Sequence, residues 1–182
     1  MSPDPHTQLA HHLHALGMGC PLKETVEAIE TAGLRDGVKI IIGGGQVNDK
    51  IREYAWPTLK AVMLGLIEEG CIPVMFGEGS YSQRLKIIAD LPKGKCIWWF
   101  DQTDMRRAKE ILDDVCCIAG NVPTALMTAG TPDEVTAYYR ELIEVAGKDG
   151  GFVLTNGCGV DHAKAENVKA MIEAGREYGV YR

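Results

Sequence analysis

Two hydrophobic patterns take turns along this chain. Short apolar runs without polar alternation are separated by stretches whose apolar residues recur at helical spacing. Val38 to Ile42 is the first such run, ended by Gly43, Gly44 and Gly45, and it reads as a buried strand. Upstream, Leu22, Val26 and Ile29 have helical spacing, and Gly33 suits the position just past the helix end. Downstream, Leu59, Val62, Met63, Leu66 and Ile67 form one stripe, with Pro57 in the first turn and Gly70 as the stop. Further strands are predicted over Cys71–Phe76, Cys96–Phe100, Val115–Ala119 and Gly151–Thr155. Helices follow around Gln83–Ala89, Met105–Leu112, Pro132–Ala146 and Glu166–Tyr178. Thr131, Pro132 and Glu134 make a capping box at the start of the third of these. Five apolar strands alternating with helices predict an α/β fold, its parallel sheet covered by helices.

Length limits what that pattern can become. A closed eight-stranded (β/α) barrel takes about 250 residues and rarely fewer than about 200. The 182 residues here are expected to hold only part of one. A composition of 46% hydrophobic and 24% charged residues is that of a globular chain, which excludes wholesale disorder. The net charge of −6, with no basic stripe, argues against nucleic acid or an anionic membrane as partner. There is neither a signal-peptide pattern nor an apolar run of about 18 residues, so a soluble, cytoplasmic protein is expected. Residues 1–20 hold four of the five histidines and little periodicity; an expression tail, a frayed helix and a metal-binding tract all fit them.

The six cysteines form no C-x-x-C pair and no disulfide-framework spacing. Cys71, Cys96, Cys116 and Cys117 lie in or beside apolar runs, where a thiol is expected to act as a small buried hydrophobe. Cys158 differs, because it stands in the loop Asn156-Gly157-Cys158-Gly159. Parallel α/β folds bind ligands beyond the carboxyl ends of their strands. Those positions hold Glu78, Asp101, Asn121 and the Asn156–His162 loop. Thr103 and Asp104 also suit helix caps, and Asn121 also suits a turn. Glu78 and Cys158 have glycines beside them and no evident capping role. The triplet Gly43–Gly45 serves either a turn or a phosphate cradle, but lacks the G-x-G-x-x-G spacing.

From Trp56 onward the chain resembles the carboxyl half of the uroporphyrinogen decarboxylase family. The resemblance is carried by Leu64-Gly65-Leu66-Ile67-Glu68-Glu69-Gly70, Trp98-Trp99-Phe100-Asp101-Gln102-Thr103-Asp104, Ala119-Gly120-Asn121-Val122-Pro123, Gly130-Thr131-Pro132-Asp133-Glu134-Val135 and Glu166-Asn167-Val168-Lys169-Ala170-Met171. It implies a (β/α) barrel of which the strands from Cys71 on are the last four. It also implies a place beside the decarboxylase of haem biosynthesis and the corrinoid-linked methyltransferases of anaerobic methyl metabolism. In the zinc-dependent methyltransferase branch, the third zinc ligand resembles Cys158. The branch's His-x-Cys pair aligns with Phe76-Gly77-Glu78, so a carboxylate replaces one ligand and the other is lost. Asp161 and His162 lie close enough in sequence to add ligands, an inference from these residues rather than a family motif.

Residues 16–54 resemble the end of a cobalamin-binding domain of methyltransferase corrinoid proteins, with Gly43 and Gly44 matching its nucleotide-tail glycines. The expected organisation is therefore a poorly structured stretch over 1–20, a corrinoid-domain remnant over 21–54 and a half barrel over 55–182. In fold terms this is an incomplete TIM-type (β/α) barrel with one extra N-terminal βα unit. The resemblance implies catalytic Cys158 and Glu78, with Asp101, Asn121 and Asn156 binding substrate and Gly43 and Gly44 facing a corrinoid. Cys158, Glu78 and His162 are the expected zinc ligands. A corrinoid protein or second barrel half is the expected partner, and a homo-oligomer the expected assembly. Two other readings stand beside this one: a non-catalytic remnant acting as a binding module, and a uroporphyrinogen decarboxylase by family label only.

Overall fold

The structure, a computed structural model, describes the backbone of Lys39–Gly44 and residues 56–180 in full. The expected helix at Leu22–Ala32, the histidine-bearing N-terminus and the junction over residues 49–55 lie outside the described residues. Among the described residues, eleven elements follow one another: β1 (Lys39–Gly44), α1 (Trp56–Glu68), β2 (Ile72–Gly77), α2 (Leu85–Ile88), β3 (Ile97–Phe100), α3 (Met105–Leu112), β4 (Cys117–Val122), α4 (Thr124–Ala129), α5 (Pro132–Ala146), β5 (Phe152–Asn156) and α6 (Ala165–Tyr178). The strands form one five-stranded sheet in chain order, every pair parallel. Strand order equal to chain order is barrel topology. A doubly wound sheet would reverse direction at a switch point.

Right-handed crossovers between neighbouring parallel strands put all the helices on one side of the sheet. The burial of the strands agrees. Met75, Trp98, Phe100, Ile118 and Phe152 share the face toward the helices and are buried. There they meet Val62, Met63 and Leu66 of α1, Leu112 of α3, and Val135, Tyr139 and Leu142 of α5. On the opposite face, Val74, Phe76, Ile97, Trp99 and Cys117 are only partly covered, and Val153 is 45% exposed. Ala119, a small residue between Trp99 and Val153 in register, is the buried exception. In a closed barrel this face is the packed interior. Here it is open.

Most elements lie where the apolar pattern predicts, and the bounds of β4 depart from it for local reasons. Val115 and Cys116 both donate to the Leu112 carbonyl, at 2.8 and 3.0 Å, so they finish α3 rather than begin β4. β4 instead runs on through Gly120 and Asn121, where a turn was one expectation. Gly120 has φ +116°, and a Cβ there would stand 2.3 Å from the Phe100 carbonyl oxygen, so β3 and β4 approach as only glycine permits. The helix expected over Gln83–Ala89 shrinks to the single turn α2, and α4 forms over a stretch for which the pattern predicted no element.

Candidate functional site

The carboxyl ends of the strands form one rim, and a chain of short hydrogen bonds ties its loops together. Asp101, half-buried just past β3, accepts the Gly79 N–H on Oδ2 at 3.1 Å. The Asp101 and Gln102 N–H groups donate back to Gly77 and Gly79 carbonyls at 3.3 and 3.0 Å. On its other side Asp101 meets Gly157. A Cβ on that glycine would lie 2.9 Å from the Asp101 carbonyl oxygen and 3.2 Å from Oδ1. The Gly157 N–H donates to the Val122 carbonyl at 2.8 Å, which locks the β5 loop onto the end of β4. Asp101 is thus a bridge between the loops that carry Glu78 and Cys158.

Beneath this bridge sits Thr103, 2% exposed. Its Oγ1 accepts the Tyr81 N–H at 3.0 Å, and its carbonyl accepts the Asn121 amide at 2.6 Å. Asp104 caps α3 by accepting the Arg107 N–H, as its position before an amphipathic helix predicts. The Trp99 indole donates to the Asn156 carbonyl at 2.7 Å, and Thr155 Oγ1 donates to Asn156 Oδ1 at 3.1 Å. Trp99 also packs on Phe76, ring centroids 4.9 Å apart. Burial raises the Tyr81 phenol above its usual range; Arg84, over its ring, opposes that and Glu78 adds to it.

The residues singled out from the sequence divide by position. Glu78 and Cys158 are both exposed on loops of the rim, after β2 and β5, and Asp101 stands between those loops. Asn156 ends β5, half-buried, with its carbonyl taken by Trp99. Gly43 and Gly44 end β1 and pair in register with Phe76 and Gly77, which places them at the same rim. Asn121 is buried, 7% exposed, unlike Glu78 and Cys158. It lines a cavity of about 250 Å³ between the Thr103–Arg106 segment and Tyr138, Glu141 and Leu142 of α5. His162 is exposed in the turn before α6. Among the described residues, no three His, Cys, Asp or Glu side chains come together as a metal-binding group. Cys158, Glu78 and His162 therefore do not by themselves fit a zinc centre, which takes four ligands in tetrahedral array.

Two contributors to the rim are invisible in a residue-by-residue reading. Thr103 looks like a spare helix cap, and Trp99 looks like core. The signal for each is its partner on another strand, which sequence spacing does not give.

No curated protein gives a significant sequence match. Among solved structures the chain is similar to a methyltransferase from Methanosarcina mazei, with a TM-score of 0.63 and 21% identity, covering 85% of this chain. At that identity the likeness is one of fold. This chain spans 45% of that protein's length. Among the described residues, no helix is long and apolar enough to cross a membrane. The sequence model of the family described as uroporphyrinogen decarboxylase matches residues 43–178, beginning inside β1. That match covers most of the sequence, and the chain belongs to the uroporphyrinogen decarboxylase family.

Proposed function

We propose that this chain provides one half of a methyl-transfer site of the corrinoid-linked kind. A second barrel half would complete the site, and a corrinoid protein would be its partner. The observation that supports this reading is that an exposed thiol, Cys158, and an exposed carboxylate, Glu78, stand on the two loops that Asp101 touches. The fold likeness to a protein named as a methyltransferase is consistent with it.

On this reading Cys158 gives up its proton and offers a sulfur lone pair, since the thiolate is the nucleophile. Glu78 accepts that proton, the task of a general base. Asp101 holds the two loops in register, and Asn156 presents its side-chain amide to the substrate. A corrinoid held beside Gly43 and Gly44 would supply the methyl group, which would pass to the Cys158 sulfur and from there to a deprotonated thiol acceptor, releasing Cys158 as its thiolate. A zinc ion at Cys158 would need ligands from outside the described residues, so no step is assigned to it.

The full chain, given methylcobalamin as donor and a small thiol as acceptor, should show methyl transfer once a complementary barrel half is supplied. Glu78→Gln should slow it by about a hundredfold or more, and Cys158→Ser should abolish it. Undiminished transfer in Cys158→Ser would overturn the assignment. One observation favours the second reading, a non-catalytic binding module: the open inner face of the sheet, with Val153 45% exposed. Assembly with a partner but no transfer would select that reading.

A further inference from the structure

At the opposite end of the sheet from the rim, two buried thiols stand side by side. The parallel register pairs Ile97 with Cys117, so one residue earlier Cys96 lies next to Cys116. Neighbouring strands run about 4.8 Å apart, and a disulfide spans Cα atoms roughly 4.4–6.8 Å apart. Cys96 and Cys116 are 2% and 5% exposed. The turns just before them are clipped together. The Gly94 N–H donates to the Val115 carbonyl at 2.7 Å, and Lys93 Nζ meets Asp114 at 2.7 Å.

We propose that Cys96 and Cys116 are a redox-active dithiol site, closing to a disulfide that joins the starts of β3 and β4 when the protein meets a low-molecular-weight disulfide. Nothing in the rim chemistry uses these thiols, so the two proposals stand independently. Access comes from the turns, since Pro92–Lys95 and Asp113–Asp114 are exposed and each cysteine lies within two residues of them. Fraying of one turn brings a sulfur to solvent. Interaction between the two side chains lowers the Cys96 thiol and, with burial, raises Cys116. In the scheme proposed, Cys96 attacks first. Its sulfur bonds to one sulfur of the reagent, and the other sulfur leaves as a thiolate. Cys116, deprotonated in turn, attacks the Cys96 sulfur and expels the second reagent thiolate. The two protons lost by the cysteines end on those thiolates, and the reagent takes up the two electrons.

The experiment treats the full, folded chain with oxidised glutathione, blocks remaining thiols and maps peptides by mass spectrometry without reduction. A Cys96–Cys116 cross-link, two hydrogens lighter than the separate peptides and reversed by dithiothreitol, is the expected product. Cys116→Ser should leave glutathione on Cys96, and Cys117→Ser should leave the cross-link unchanged. The oxidised chain should melt several degrees higher, returning on reduction. If Cys158 is modified while Cys96 and Cys116 stay free after prolonged incubation, the proposal is wrong. It is equally wrong if the cross-link forms only in urea, or if Cys116 pairs with Cys117 instead.

Discussion

Thr103 is a short polar side chain enclosed between the loop after β2 and strand β4. Its hydroxyl oxygen is the acceptor for the Tyr81 N–H in a buried setting. A buried donor without its partner costs about 1–3 kcal/mol. Thr103→Val keeps the shape and removes the acceptor, so it should lower unfolding stability by about that amount. Thr103→Ser keeps the oxygen and should lose less, chiefly the packing of one methyl. Urea titration of the three proteins side by side checks the difference, and equal losses would mean that packing, not the hydrogen bond, is what matters. Asp104, one residue on, does the humbler work of an N-cap.

Helix α5 shows how local rules and tertiary packing combine. Its start is the complete capping box: Thr131 Oγ1 accepts the Glu134 N–H at 3.3 Å, and Glu134 accepts the Thr131 N–H at 2.8 Å. Its buried stripe, Val135, Tyr139, Leu142 and Ala146, faces the core. The hydrogen bonds from Thr131, backbone first, hold the Glu134 carboxyl below the usual glutamate range. A depressed folded pKa means stability that is present above the unfolded value, about 4.3, and is lost as pH falls through the folded value. Wild type should therefore lose its advantage over Glu134→Gln on acidification from about pH 6 to about pH 3. Denaturant melts of both proteins across that range would show the gap closing; a constant gap would remove Glu134 from the acid response. At its other end the chain secures α4 in a different way. The Asn167 amide of α6 donates to the Met127 and Gly130 carbonyls, both at 3.0 Å.

Among the described residues the sheet has one face packed by helices and another only partly covered. Parallel strands are normally buried on both faces, yet Phe76, Trp99 and Ile97 are only partly covered and Val153 is exposed. Among the described residues, β1 and β5 are also the edges of the sheet. Exposed apolar area carries a cost of about 25 cal/mol per Å², which association would recover. The full chain should therefore sediment as a species heavier than a monomer. Val153→Lys, which places a charge on the partly covered face at its β5 edge, should shift it toward monomer without loss of helical circular dichroism. A wild-type monomer at all concentrations would show that this face is covered in some other way.

What the sequence determined by itself was the kind and order of the elements. Their apolar runs, stripes and caps are local, and local physics suffices to place strands at Cys96–Phe100 or a capping box at Thr131. The family was legible too, in segments such as Trp98 to Asp104, and it extends further upstream than those segments suggest, to residue 43. The tertiary structure decided the rest. Gly120 was open to a turn in sequence and lies in a strand, because β3 and β4 press together there. Asn121 is buried and bonded to the Thr103 carbonyl rather than exposed on the rim like Glu78 and Cys158. Asp101 became the bridge of the rim only because two glycines from distant parts of the chain fold against it. Contacts of that kind depend on which loops meet across strands, and no spacing along one strand encodes them.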